Sequence, residues 1–252
     1  MHTQCFLLLS TITLPILHTP GSRIIGGSKI PITATPYQLI LLRARVHICG
    51  AVLIAPQRAL SAAHCFPNPG PYSVKGGVTN LQEPGFVSHI NMALIHPNFT
   101  KTNGDYDLSV LFLATPFPLS DKIRPVALPS EGPEGEIRAG MVGKVSGWGK
   151  TTHNSDELRS EDLKGVDLPV VAQEKCQKKF DYFQVITERK FCAGVEKGGE
   201  DACTGDSGGP FVVEGVLYGI VSDGLDCAQP GWPGIYTNVQ VLRGFIRENA
   251  EV

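Results

Sequence analysis

Charge is scarce in this 252-residue chain: Asp, Glu, Lys and Arg together make up 18% of it, against the ~25% of an average globular protein. A coiled coil or a disordered acidic tail needs a charge excess, and collagen needs a strict glycine repeat; both signatures are absent. There is no basic stripe either, since Lys and Arg are scattered and the formal net charge is −2, so no nucleic-acid partner is expected. Low-complexity tracts and internal repeats are missing. Beyond residue 23 no stretch approaches the ~20 apolar residues of a membrane-spanning helix, and no membrane role is expected.

What the chain has in excess is turn formers. Its 28 glycines and 19 prolines are about 11% and 7.5% of the residues, above the usual ~7% and ~5%. They separate short apolar or alternating runs that read as strands: Tyr37 to Leu42, Ala51 to Ile54, Leu108 to Leu113 and Gly143 to Ser146. Phe211 to Val213 and Val216 to Val221, around Glu214-Gly215, read as a hairpin. Helical spacing comes late, with Val239, Leu242, Phe245 and Ile246 on one face after Asn238 as N-cap; Gln173 to Phe180 predicts a second, short helix. Residues 129–140, rich in Pro, Gly and Glu, read as a linker between two all-β halves of similar size.

Seven cysteines is an odd number, and Cys5 stands apart in an apolar N-terminal stretch broken by Thr11, Thr13 and Pro15. Residues 1–23 therefore read as a secretory signal peptide plus a short activation peptide, although no Lys or Arg precedes the apolar stretch and no clean Ala-x-Ala site follows it; the alternative is a buried N-terminal strand or an anchor. Removal of Cys5 leaves Cys49, Cys65, Cys176, Cys192, Cys203 and Cys227. In a secreted protein an even set predicts three disulfides, in any of 15 connectivities. Metal-ligand spacing is lacking.

The densest chemical signal is Gly205-Asp206-Ser207-Gly208-Gly209-Pro210. Glycines around a serine allow a sharp turn and leave backbone N–H groups free for an oxyanion. Upstream stand Ser61-Ala62-Ala63-His64-Cys65 and Asp105-Tyr106-Asp107-Leu108-Ser109-Val110-Leu111. In this His, Asp, Ser order the chain resembles the chymotrypsin-like (trypsin family) serine proteases. Further matches are Arg23-Ile24-Ile25-Gly26-Gly27, Pro36-Tyr37-Gln38, Cys49-Gly50, Ser146-Gly147-Trp148-Gly149, Phe191-Cys192-Ala193-Gly194 and Pro233-Gly234-Ile235-Tyr236, so the resemblance runs from Arg23 to the C-terminal helix.

The resemblance implies an all-β fold of two packed six-stranded antiparallel barrels with a C-terminal helix, in a protease domain spanning 24–252. It implies acyl transfer, with Ser207 as nucleophile, His64 as general base and then acid, and Asp107 holding the imidazole tautomer. Asp105 competes for the third role, yet only Asp107 is followed by the family's apolar-small-apolar strand. The N–H groups of Gly205 and Ser207 would form the oxyanion hole, roughly 3 to 4 kcal/mol per donor. The implied disulfides are Cys49–Cys65, Cys176–Cys192 and Cys203–Cys227. Asp201 falls at the base of the primary pocket and favours a substrate Arg or Lys, with Gly224 and Gly234 as open walls and Ser222 near the triad Asp. Cleavage at Arg23-Ile24 would free an Ile24 ammonium to pair with Asp206 and so turn a zymogen on.

Two departures from the family stand out. Ser222-Asp223-Gly224 replaces the usual Ser-Trp-Gly; this is either drift at an exposed edge or a preference for a second basic residue upstream of the scissile bond. The loop Gly77 to Phe86, where many vertebrate trypsins bind Ca²⁺, offers only Glu83 as an acid, too few hard oxygens for a six-ligand site. No cofactor or metal is expected. Asn98-Phe99-Thr100 is a glycosylation sequon. The expected protein is a secreted, extracellular monomer acting on proteins or peptides with Arg or Lys before the cut, and subject to protein protease inhibitors. Rival readings are a catalytically silent homologue used as a binding module, which the intact triad disfavours, and a protease of narrow rather than broad specificity.

Overall fold

A computed structural model describes residues 24–150 and 159–252. The N-terminal peptide expected over 1–23, with Cys5 and Arg23, lies outside the described residues.

Six strands close the first barrel: β2 (Gln38–Arg43), β3 (Val46–Ala55), β4 (Arg58–Ser61), β5 (Tyr72–Gly76), β6 (Phe86–Ile95) and β7 (Ser109–Leu113). They join in the order β2-β3-β4-β7-β6-β5, and every pair is antiparallel. Alternation along β2 explains why it is nearly all apolar. Leu39 and Leu41 point into the barrel core, while Ile40 on the other face joins Ile32, Trp148 and Leu163 in a separate cluster. A strand buried on both faces loses the polar half of its pattern.

The second barrel contains β8 (Val142–Gly147), β9 (Lys164–Val171), β10 (Lys190–Ala193), β11 (Pro210–Val213), β12 (Val216–Asp223) and β13 (Gly234–Asn238). Their order is β9-β10-β13-β12-β11-β8, and β8 pairs back onto β9 to close the ring; the two-residue β1 (Ser28–Lys29) adds to β9. Phe191, Phe211 and Tyr236 fill its core with centroids 4.9 to 5.3 Å apart. In the β11–β12 hairpin, Glu214 and Gly215 have φ of 48° and 83°, the left-handed pair of a two-residue type I′ turn.

The helices form as the spacing predicts, with one difference. α1 covers Gln173–Phe180 and buries Cys176 and Phe180. α2 runs Arg243–Ala250 with Leu242 at its N-cap, later than expected. Asn238 is still paired with Gly219 as the last residue of β13, and its Oδ1 accepts a bond from Gln240 N at 3.2 Å. It caps the turn before the helix, because its own backbone belongs to the sheet. Ile24 lies in the second-barrel core, while Leu242 and, on α2, Ile246 and Ala250 join the cluster of the first barrel.

Candidate active site

A cleft of about 640 Å³ opens between the barrels, lined by His64 and Asp107 from the first and by Asp201, Ser207, Ser222 and Gly234 from the second. His64 belongs to a single 3₁₀ turn, Ala63–Cys65, which follows β4 and is tied to β3 by the Cys49–Cys65 disulfide. Asp107 lies just before β7. Between Asp105 and Asp107, Tyr106 takes φ 55°, and the two carboxylates part. Asp107 Oδ2 accepts from His64 Nδ1 at 2.7 Å and Ser222 Oγ at 2.6 Å, and its Oδ1 accepts from His64 N at 2.9 Å. Its carbonyl accepts from Thr237 Oγ1 at 2.8 Å. Asp105 turns instead to the second barrel, accepting from Arg189 Nε at 3.0 Å, Arg189 Nη2 at 2.8 Å and Thr187 Oγ1 at 3.0 Å. The geometry thus sets Asp107, the acid the resemblance favoured, against His64 and turns Asp105 away.

Burial disfavours the His64 imidazolium, but the hydrogen bond and charge of Asp107, with a smaller contribution from Asp223, outweigh it and hold the pKa above the ordinary value. A bond to Asp107 through Nδ1 leaves Nε2 for the cleft. Ser207 faces the same cleft. Among the described residues its hydroxyl forms no hydrogen bond to His64, a contact that in substrate-free enzymes often closes only in the complex.

The turn that carries Ser207 depends on two glycines at positive φ, Gly205 (102°) and Gly208 (81°). A Cβ on Gly208 would lie 2.3 Å from Ser61 Oγ and 2.4 Å from Gly50 O, so no other residue allows the barrels this approach. The bonds of the turn are donated by Asp206, Gly208 and Gly209, which leaves the N–H groups of Gly205 and Ser207 outside it. Asp206 is buried and accepts from Gly149 N at 2.7 Å and Cys203 N at 3.0 Å. Burial pushes its carboxyl up to about 6, against the opposing pull of those donors and of Arg159.

Asp201 is 4% exposed. Its Oδ2 accepts from Ala228 N at 3.0 Å, while Oδ1 has no partner among the described residues, and the nearby Tyr236 hydroxyl is also unpartnered. Burial pushes its carboxyl up to about 7. A Cβ on Gly234 would stand 2.8 Å from that oxygen, so glycine leaves the space beside it clear. Gly224, the other wall, meets only Gly234 Cα at 3.8 Å. Residues Ile24 to Gly27 dock beside this pocket: Ile24 is fully buried at φ 39°, and Ile25 O accepts from Asp201 N at 3.0 Å.

The three disulfides are those the resemblance implied, with Cα separations of 6.3, 5.8 and 5.3 Å. Cys49, His64 and Cys65 form a potential ligand group, but both sulfurs are spent in a disulfide. In the loop from Gly77 to Phe86 the ammonium of Lys75 donates to Leu81 O at 2.9 Å and to Glu83 O, and the Glu83 carboxylate accepts from Thr79 N and Asn80 N. A side-chain cation thus organises that loop. Asn98 is exposed at the rim, next to cleft-lining Phe99. Thr237, Arg189, Gln184 and Lys190 escaped the sequence reading. Each is an ordinary polar residue in a strand or loop with no motif, and only folding brings it to the site.

Two closed antiparallel barrels, with a His–Asp pair and a serine turn facing one cleft, define a chymotrypsin-like serine endopeptidase. The trypsin family model matches residues 24–246, and the chain belongs to that family. It is 35% identical to trypsin 5G1 of Aedes aegypti over 238 residues, covering 90% of this chain and 85% of that one. It is 35% identical to a vitellin-degrading protease of Bombyx mori over 254 residues, with 97% and 92% covered. To a trypsin of Simulium vittatum it is 37% identical over 222 residues, with 86% and 88% covered.

Proposed function

We propose that this chain is a secreted zymogen which, once cut at Arg23-Ile24, hydrolyses proteins after Arg or Lys through an acyl-enzyme. The protease unit is 24–252. Ser207 Oγ attacks the scissile carbonyl as His64 Nε2 takes its proton. Asp107 holds the imidazole from the far side, and the N–H groups of Gly205 and Ser207 receive the oxyanion. His64 then protonates the departing amine, and water repeats the cycle to release the acid. Cleavage would turn the amide of Ile24, a residue buried in the second-barrel core, into an ammonium available to Asp206, itself a buried carboxylate held so far by backbone donors. A β-branched residue at positive φ is also relieved once the preceding bond is cut.

The observation that carries the specificity is Asp201, a buried carboxylate with one oxygen unpaired and aimed where a substrate side chain enters. An isolated buried charge is costly, and a guanidinium or ammonium supplies both the countercharge and the missing donors. The precursor, matured after Arg23 and given a randomised peptide library, should cut after Arg and Lys, and its Ser207→Ala form should not. Cleavage that ignores the residue before the cut, or that survives Ser207→Ala, overturns the reading.

A further inference from the structure

Beyond the primary pocket the cleft continues past Asp223, Gln184 and Gly104, with Phe99 and Phe183 among its lining. We propose that this outer cleft selects a second basic residue upstream of the scissile bond, with Asp223 as its acceptor and Gln184 and Lys190 as the residues that hold Asp223 in position. The inference rests on the trypsin-like reading above.

Asp223 is exposed at the end of β12, where its Oδ2 accepts from Gln184 Nε2 at 2.9 Å and its Oδ1 from Gly224 N at 2.8 Å. Gln184 has no choice of orientation. Its Oε1 accepts from the Lys190 ammonium at 2.7 Å, and an ammonium can only donate, so the amide NH₂ must face Asp223. Lys190 is itself 2% exposed and also donates to Asn103 O. The chain from buried cation to amide to carboxylate fixes a surface acid that would otherwise swing freely. Two of about four acceptor sites on that carboxylate are used, and the rest face solvent.

The surroundings suit a long cationic side chain. A Cβ on Gly104 would meet only Lys190 Nζ, at 3.9 Å, so this stretch of the cleft wall carries no side chain. Phe99 and Phe183 offer apolar surface to an aliphatic stem, and Phe183 is braced edge-on by Trp232 at 5.6 Å. The opposing charges are Lys101, exposed on the same rim, and the Lys190 ammonium behind Gly104 and Gln184; they limit the preference, and the exposed charges make it salt-sensitive. Exposed pairs contribute at most about a fivefold effect.

The test compares peptides with Arg at the cut position and Lys, Ala or Glu at each upstream position. At about 0.05 M salt the wild type should favour Lys over Ala by about fivefold in kcat/KM at one upstream position, falling below about twofold at 0.5 M. Asp223→Asn should bring the ratio near one, and Asp223→Lys should turn the preference to Glu. Gln184→Leu should lower the ratio through KM rather than kcat, a change that mere loosening of the fold would not produce. A flat wild-type profile at low salt with cleavage after Arg intact, or a ratio unchanged in Asp223→Asn, overturns this inference alone. Absence of cleavage after Arg or Lys removes the reading beneath it as well.

Discussion

Asp201→Asn should make the substrate-free protein more stable and nearly inactive on Arg substrates at once. Asp201 is almost wholly buried, with one oxygen unpartnered and its carboxyl pushed up to about 7 by burial. A carboxyl that binds its proton more tightly when folded imposes no penalty below its unfolded pKa near 3.8. Stability is then lost as pH rises from there to about 7, and the full cost persists above. Three pH units correspond to roughly 4 kcal/mol; because the pocket opens to solvent, about half of that is a realistic expectation. Asn keeps an acceptor for Ala228 N–H and removes the charge. In a Ser207→Ala background, which prevents self-digestion, the variant should gain about 2 kcal/mol at pH 8, or about 4 to 8 °C in Tm for a domain of this size, and almost nothing at pH 4. In the active background kcat/KM for Arg substrates should fall roughly 10²- to 10³-fold, as expected when one partner of a buried charge pair is removed. Urea melts at the two pH values and single-substrate kinetics decide it. A variant no more stable at pH 8, or one that still prefers Arg, refutes the picture of an unpaired buried carboxylate awaiting its cation.

Other outcomes follow from neighbouring contacts. Although burial disfavours the imidazolium, Asp107 and Asp223 keep the His64 pKa above its ordinary value; the acid limb of kcat/KM should therefore lie above that ordinary value, and Asp223→Asn should move it to lower pH. An unmoved limb in the pH profile contradicts the coupling. Arg189→Met leaves Asp105 without its two-pronged partner and should cost about 2 to 3 kcal/mol; a double-mutant cycle with Asp105→Ala that gives no coupling energy shows the pair to be idle. Lys75→Met removes the cation that holds Leu81 O and Glu83 O and should lower Tm, whereas chelator should leave the wild type unchanged. Activity lost in chelator and restored by Ca²⁺ contradicts an internal cation in that loop.

The site was legible in the sequence to the extent that its chemistry is written in contiguous residues. The serine turn needs Gly205 and Gly208 beside Ser207 because of their positive φ, so motif and geometry coincide. Strands and α1 were readable from local periodicity, whereas the start of α2 was not, since Asn238 serves the sheet before it can serve a helix. The acids Asp105 and Asp107 stand two positions apart, and in sequence only the strand pattern after Asp107 distinguishes them. Their fates separate through the φ of Tyr106 and through partners, Arg189 and Ser222, more than 80 positions away.

By itself, then, the sequence determined the family and, through it, candidates for the triad, for the pocket acid and for the glycines beside it, because short motifs carry the backbone geometry those groups require. Only the tertiary structure decided which side chains surround them. Asp223, read from sequence as either drift or a second selector, acquires its setting from Gln184 and Lys190, and Lys75 takes up the centre of a loop poor in acids. Such partners come from distant parts of the chain, and each contact is set by how two closed barrels pack rather than by any local residue pattern.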